Sequence, residues 1–156
     1  MENRIRIALF EWTPRSPMAW VILFGTGCIF SHVAIEVNGV WYDASETRGT
    51  FAEADVISLA GRPCQLAEIR GDASLWLKRM HGKHYDYRGV AGWIACRLFN
   101  AGCGSNHRFY CFEAANDLLK SLGLRGVKRR AVSGCDIRSA LPVNTRFGKF
   151  GESSNG

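Results

Sequence analysis

No apolar stretch in this chain reaches the ~20 residues that a membrane-spanning helix needs. The longest, Met18 to Phe30, is interrupted by Gly25, Thr26 and Gly27, so no spanning helix is predicted. The opening Met1-Glu2-Asn3-Arg4 leads straight into an alternating stretch and lacks the basic, then apolar, then small-residue order of a secretory signal. The expectation is synthesis in the cytoplasm, with any delivery to the cell envelope by another route: a lysis system, a virion or secretion machinery. Internal repeats and low-complexity segments are also lacking, which excludes solenoids and arrays.

Other absences narrow the chemistry. The six cysteines do not sit in a short secreted chain, so reduced thiols are expected rather than a disulfide framework. Cys103, His107 and Cys111 recur at helical spacing with Cys96 upstream, which invites a zinc reading. Gly102, Gly104 and Ser105 break that helix, and no pair has the tight spacing of a zinc knuckle or ribbon, so no metal is expected. The net charge of +6 favours anionic partners or surfaces, yet the only basic run is Lys128-Arg129-Arg130. Without aromatics interleaved around it, specific nucleic-acid binding is not expected.

What remains is an ordinary globular chain. Its 156 residues suit one domain, taken as 1–150 with 151–156 as a flexible tail, and 47% hydrophobic against 22% charged residues argues against disorder. Ile5, Ile7 and Leu9 alternate with Arg4, Arg6 and Ala8 as in a half-buried strand. Met18 to Phe24 suits a short buried helix closed by Gly25 and Gly27. Cys64 to Arg70 reads as a strand, Asp72 as the cap of a helix over Ala73 to His81, and Arg88 to Phe99 as a second helix. Phe112, Ala115, Leu118, Leu119 and Leu122 mark a helix buried on one face and stopped by Gly123. Val127 to Val132 and Thr145 to Phe150 are candidate late strands. Strands and helices in this mixture indicate an α+β fold.

The most informative stretch is Phe30 to Val37 and Val40 to Ala44 flanking Asn38-Gly39, a strong hairpin signal. A two-residue turn sets Val37 opposite Val40, Glu36 opposite Trp41, Ala34 opposite Asp43 and His32 opposite Ser45. His32, Ala34, Trp41, Asp43 and Ser45 then share a face, and Asp43 becomes a diagonal neighbour of His32 at a Cβ separation of about 7 Å. A base and its orienting acid are thus placed by one local hairpin. Far downstream, Cys111 opens a predicted helix, whose unpaired N–H groups and dipole favour a thiolate and can hold an oxyanion. Glu113, nearby, works against that thiolate unless it points away.

Ser31 to Ala44 resembles the hairpin of the NlpC/P60 cell-wall peptidases, in which a catalytic His and a third polar residue occupy neighbouring strands. By that match Asp43 is the third residue, with Ser45 and Glu36 as alternatives. The cysteine follows the hairpin here instead of preceding it, which resembles the circularly permuted branch, the YiiX-like and lecithin:retinol acyltransferase-like proteins. The helix before Ser31-His32, the segment Gly82 to Tyr85-Asp86, and Tyr110-Cys111-Phe112-Glu113 carry the same resemblance, which spans most of Ile5 to Gly123; Asp136 to Leu141 resembles a late helix-starting segment. Phe112 departs from it, standing where a small residue is usual.

The resemblance implies a permuted papain-like fold in which an antiparallel sheet packs against helices that include the Cys111 helix. It also implies a cysteine hydrolase with Cys111 as nucleophile, His32 as base and Asp43 as orienting acid, needing no cofactor. Ser31, Tyr85, Tyr110 and Phe112 are the candidate substrate-binding residues. The expected substrate is an amide in a peptidoglycan stem peptide. The alternatives are a lipid or acyl amide hydrolase or acyltransferase, with Phe112 and Met18 to Phe24 lining an acyl groove, and a non-catalytic module of a larger assembly.

Overall fold

The structure, a computed structural model, describes residues 3–14, 17–45, 48–84, 111–126, 132–142 and 145–151. Within them the elements run β1 (Asn3–Glu11), α1 (Pro17–Thr26), β2 (Phe30–Val37), β3 (Val40–Ser45), β4 (Thr50–Glu53), α2 (Val56–Leu59), β5 (Pro63–Gly71), α3 (Ser74–Met80), α4 (Cys111–Ser121), α5 (Gly134–Ala140) and β6 (Arg146–Lys149). The fold is α+β. Its six strands form one antiparallel sheet in the order β4-β3-β2-β1-β5-β6.

β1 lies between β2 and β5, which explains where its sequence pattern misleads. Ile5, Ile7 and Leu9 are buried, but so are Ala8 and Phe10 on the alternate face, so the strand is covered on both sides over much of its length. On one face Ile5, Ile7, Leu9, Val33, Ile35 and Val37 meet Phe112, Ala115, Leu118 and Leu119 of α4, with Trp76 and Met80 of α3 and Ile137 of α5. The other face carries a smaller cluster of Ala8, Phe10, Ala34, Leu59, Cys64 and Phe150, flanked by Trp41 and Leu66.

Local chemistry accounts for the boundaries. Asn38 and Gly39 both have positive φ (54° and 84°), the requirement of a type I′ turn whose twist matches the strands it joins. α4 buries an apolar stripe and ends in a Schellman motif. There Gly123, at φ 72°, lets the Leu124 N–H reach the Leu119 carbonyl and the Gly123 N–H reach that of Lys120. α3 starts one residue later than the sequence suggests: Ala73 is the cap position, while the Asp72 carboxylate accepts from the Ser74 N–H at 2.8 Å. α5 is opened by a capping box between Ser133 and Asp136.

Two expectations are corrected. α1 forms and runs through Gly25, and its two aromatic residues are not buried: Trp20 and Phe24 are 40% and 74% exposed and stack on each other at 5.4 Å, with Trp12 edge-on to Trp20 at 4.5 Å. The cysteines are not all reduced, because Cys28 and Cys135, 107 residues apart, form a disulfide with Cα atoms 5.8 Å apart. The fold itself brings them together by laying α5 against the start of β2. The predicted helix over Arg88 to Phe99, most of the predicted strand from Val127 and the tail fall outside the described residues; Val132 lies outside any strand.

Gly134 is where α5 meets β2. A Cβ there would run into Phe30 Cβ and lie 3.0 Å from two ring carbons of Phe112. Gly134→Ala is therefore expected to destabilise the fold by about 1–3 kcal/mol through overpacking. Urea denaturation checks this, since the variant's midpoint should fall with an unchanged slope.

Candidate functional site

The hairpin register is the one the two-residue turn dictates. Val37 pairs with Val40, Glu36 with Trp41, Ile35 with Tyr42 and Ala34 with Asp43. His32, two residues beyond Ala34 on the same face, is thereby the diagonal neighbour of Asp43, and its Nε2–H donates to Asp43 Oδ2 at 2.9 Å. A carboxylate only accepts, so this contact assigns the Nε2 proton and leaves Nδ1 to accept from or donate to a third group. The Asp43 side chain is 6% exposed and that of His32 is 17%. The ladder between β2 and β3 stops at Ala34 and Asp43, so the expected pairing of His32 with Ser45 does not form, and Ser45 pairs with Thr50 of β4.

A bulge lies directly before the histidine. Pairing of β2 with β1 steps from Phe10↔His32 to Glu11↔Phe30, so Ser31 is an extra residue on β2. Bulges redirect side chains and recur beside active sites. Here Phe30 turns to the helical face against Gly134, while His32 stays beside Phe10, with ring centroids 5.9 Å apart. Ser31, a candidate substrate residue, is the bulged residue and is buried.

Arg48, which the sequence reading did not single out, completes the pair. From the turn between β3 and β4 its Nη2 donates to Asp43 Oδ1, and its Nη1 donates to the Glu53 carbonyl. The two oxygens of the buried carboxylate are therefore divided between His32 and Arg48. Glu36, one alternative third residue, is occupied elsewhere: it forms an ion pair with Arg6, whose guanidinium lies 5.4 Å from the centre of the Trp41 ring.

Cys111 is the first described residue of α4, a helix that packs against β2 and β3. Its thiol is free and the residue is 3% exposed, within the core on the helical face. The structure thus brings His32 and Asp43 into hydrogen-bonding contact beside Phe10 and Ala34 on one face of the sheet, and packs the Cys111 helix on the other face, against Val33 and Ile35, so it does not bring Cys111 into contact with His32. Among the described residues, no hydrogen bond joins Cys111 to His32. Phe112 packs inward against Phe30 and Gly134, is 1% exposed and offers no surface to a substrate. Tyr85, Tyr110, Cys96, Cys103, His107 and the run 128–130 lie outside the described residues.

Cys64 is the other free thiol among the described residues. It lies opposite Phe10 on β5, so Phe10 intervenes between it and His32. Burial pushes its pKa up and Glu11 adds to that, while Arg62 opposes both. Such a thiol stays protonated and unreactive near neutral pH. No protein-family model matches the chain, and no curated protein matches it.

Proposed function

We propose that this protein is a cysteine hydrolase of permuted papain-like type, with Cys111 as nucleophile and His32 and Asp43 completing the triad. The observation that carries the reading is the His32 Nε2 to Asp43 Oδ2 contact of 2.9 Å; the Cys111 helix packs on the opposite face of the same strand. His32 takes the thiol proton through Nδ1, and the thiolate attacks the carbonyl carbon of an amide to form the C–S bond. The tetrahedral oxyanion collapses as His32 returns the proton to the departing amine and the C–N bond breaks. Water, deprotonated by His32, then attacks the thioester, releasing the acid and restoring the thiol. Asp43 holds the ring orientation and stabilises the imidazolium.

The favoured substrate is an amide of a peptidoglycan stem peptide, supported by the resemblance of the hairpin to cell-wall peptidases and by a net charge of +6 suited to an anionic envelope. The Cys28–Cys135 disulfide suits an oxidising compartment, consistent with delivery to the envelope. One observation favours a second reading, hydrolysis or transfer of a lipid acyl group: α1 exposes Trp20 and Phe24 next to the strand that bears His32.

Incubation with purified cell-wall muropeptides and, separately, with long-chain acyl esters distinguishes the two. New free amines from muropeptides support the first and released fatty acid the second. On whichever substrate turns over, Asp43→Asn is expected to lower kcat by about a hundredfold or more with the fold intact, because the histidine loses its fixed tautomer and its counter-charge. If Asp43→Asn were kinetically silent, Asp43 would not be the third residue.

A further inference from the structure

We propose that Arg48 is a positioning residue that tunes the basicity of His32 through Asp43, an inference that rests on the catalytic reading above. The argument begins with charge. Asp43 is buried and meets His32 through Oδ2, so alone it would draw the imidazole strongly toward the protonated form. Arg48 occupies Oδ1 of the same carboxylate, which brings the Asp43–Arg48 pair to zero net charge. Protonating His32 beside a neutral pair leaves an uncompensated positive charge in a largely desolvated setting, whereas beside Asp43 alone it would complete a neutral pair.

Other ionisable groups near His32 do not supply this balance. On the β1 and β5 side, Phe10 stands between His32 and Cys64, the Arg62 guanidinium lies over the Phe10 ring at 4.8 Å from its centre, and Glu11 lies past the bulge. α4 carries Cys111, Glu113, Asp117 and Lys120 but packs on the opposite face of the sheet, and its Asp117 pairs with Arg79 of α3. Arg48 alone among the described cations contacts the carboxylate that contacts the imidazole. Geometry reinforces charge, since the second guanidinium nitrogen is tied to the Glu53 carbonyl. The carboxylate is thereby held against a fixed point on the β3–β4 turn, with Oδ2 left for His32. A base trimmed in this way accepts the thiol proton and still gives it up to the leaving amine.

The test is a titration of the imidazole signals of the full-length chain by nuclear magnetic resonance, with His32 assigned through His32→Ala. In Arg48→Gln, and in Arg48→Met as a second neutral variant, the His32 midpoint is expected to rise by about half a pH unit or more. Asp43→Asn should lower it, and Arg48→Lys, which keeps the charge, should leave it near the wild-type position. A merely structural Arg48 would not produce a shift that a lysine rescues. If Asp43→Asn moves the midpoint and the neutral Arg48 variants do not, this proposal is overturned and the triad reading stands. If none of these variants moves it, the His32–Asp43 contact is not formed in solution and both readings fall.

Discussion

Removing the Cys28–Cys135 disulfide, as Cys28→Ala with Cys135→Ser, is expected to lower the free energy of unfolding by about 4–5 kcal/mol, the largest stability effect of any change considered. The bridge joins residues 107 apart, and closing a loop of ~100 residues removes about 4.7 kcal/mol of chain entropy from the unfolded state. Its place in the fold adds consequence to that figure. Cys28 is buried just before β2, and Cys135 follows Gly134, which rests on Phe30 and Phe112. The bridge therefore pins the start of α5 to the segment that leads into β2 and His32. Alanine at Cys28 keeps the buried position apolar, so the measured loss reports the cross-link rather than a stranded hydroxyl. Thermal melts should show a drop of roughly 10–20 °C, and wild type treated with reductant should approach the variant's curve. Superimposable curves with and without reductant would show that the bond contributes nothing in solution.

The parts of the molecule that were legible in the sequence are local ones. Asn38-Gly39 fixes its turn type through two positive φ values, and the turn fixes the register, so the diagonal meeting of His32 and Asp43 followed from residues 11 apart. The α4 helix was legible for the same reason: its apolar stripe and the Gly123 stop lie within one segment. What escaped was non-local, short or set by a long side chain. No spacing rule relates Cys28 to Cys135, and only the packing of α5 on β2 brings them together. The bulge at Ser31 leaves no mark in a run of β-prone residues. β4 and α2 are four residues each, too short for periodicity to appear. Arg48 reaches Asp43 along a flexible side chain from a turn, a contact that sequence pattern does not encode.

The burial of individual residues divides along similar lines. The sequence places Phe112 on a substrate surface through its neighbour Cys111, but the position after a helix-opening cysteine can equally face the core, and here Phe30 and Gly134 receive it. Trp20 and Phe24 belong to a run without charge and were expected inside. In the structure they stack on each other, and both rings keep much of their surface exposed.

The second large effect concerns the pairing of Cys111 with His32, and alkylation rates measure it most directly. Native protein is treated briefly with substoichiometric iodoacetamide at pH 6 and the labelled peptides are identified by mass. Cys28 and Cys135 are bonded to each other and cannot react, and Cys64 is held protonated by burial and by Glu11, so they serve as internal controls. Label is expected on Cys111. An ordinary thiol, titrating near about 8.5, is almost wholly protonated at pH 6, so a cysteine that loses its cationic partner should react about a hundredfold more slowly. His32→Ala is accordingly predicted to slow Cys111 labelling by about that factor while leaving Cys64 unlabelled. A Cys111 that stays unmodified while another cysteine reacts, or a labelling rate unchanged in His32→Ala, would contradict the assignment of a catalytic pair.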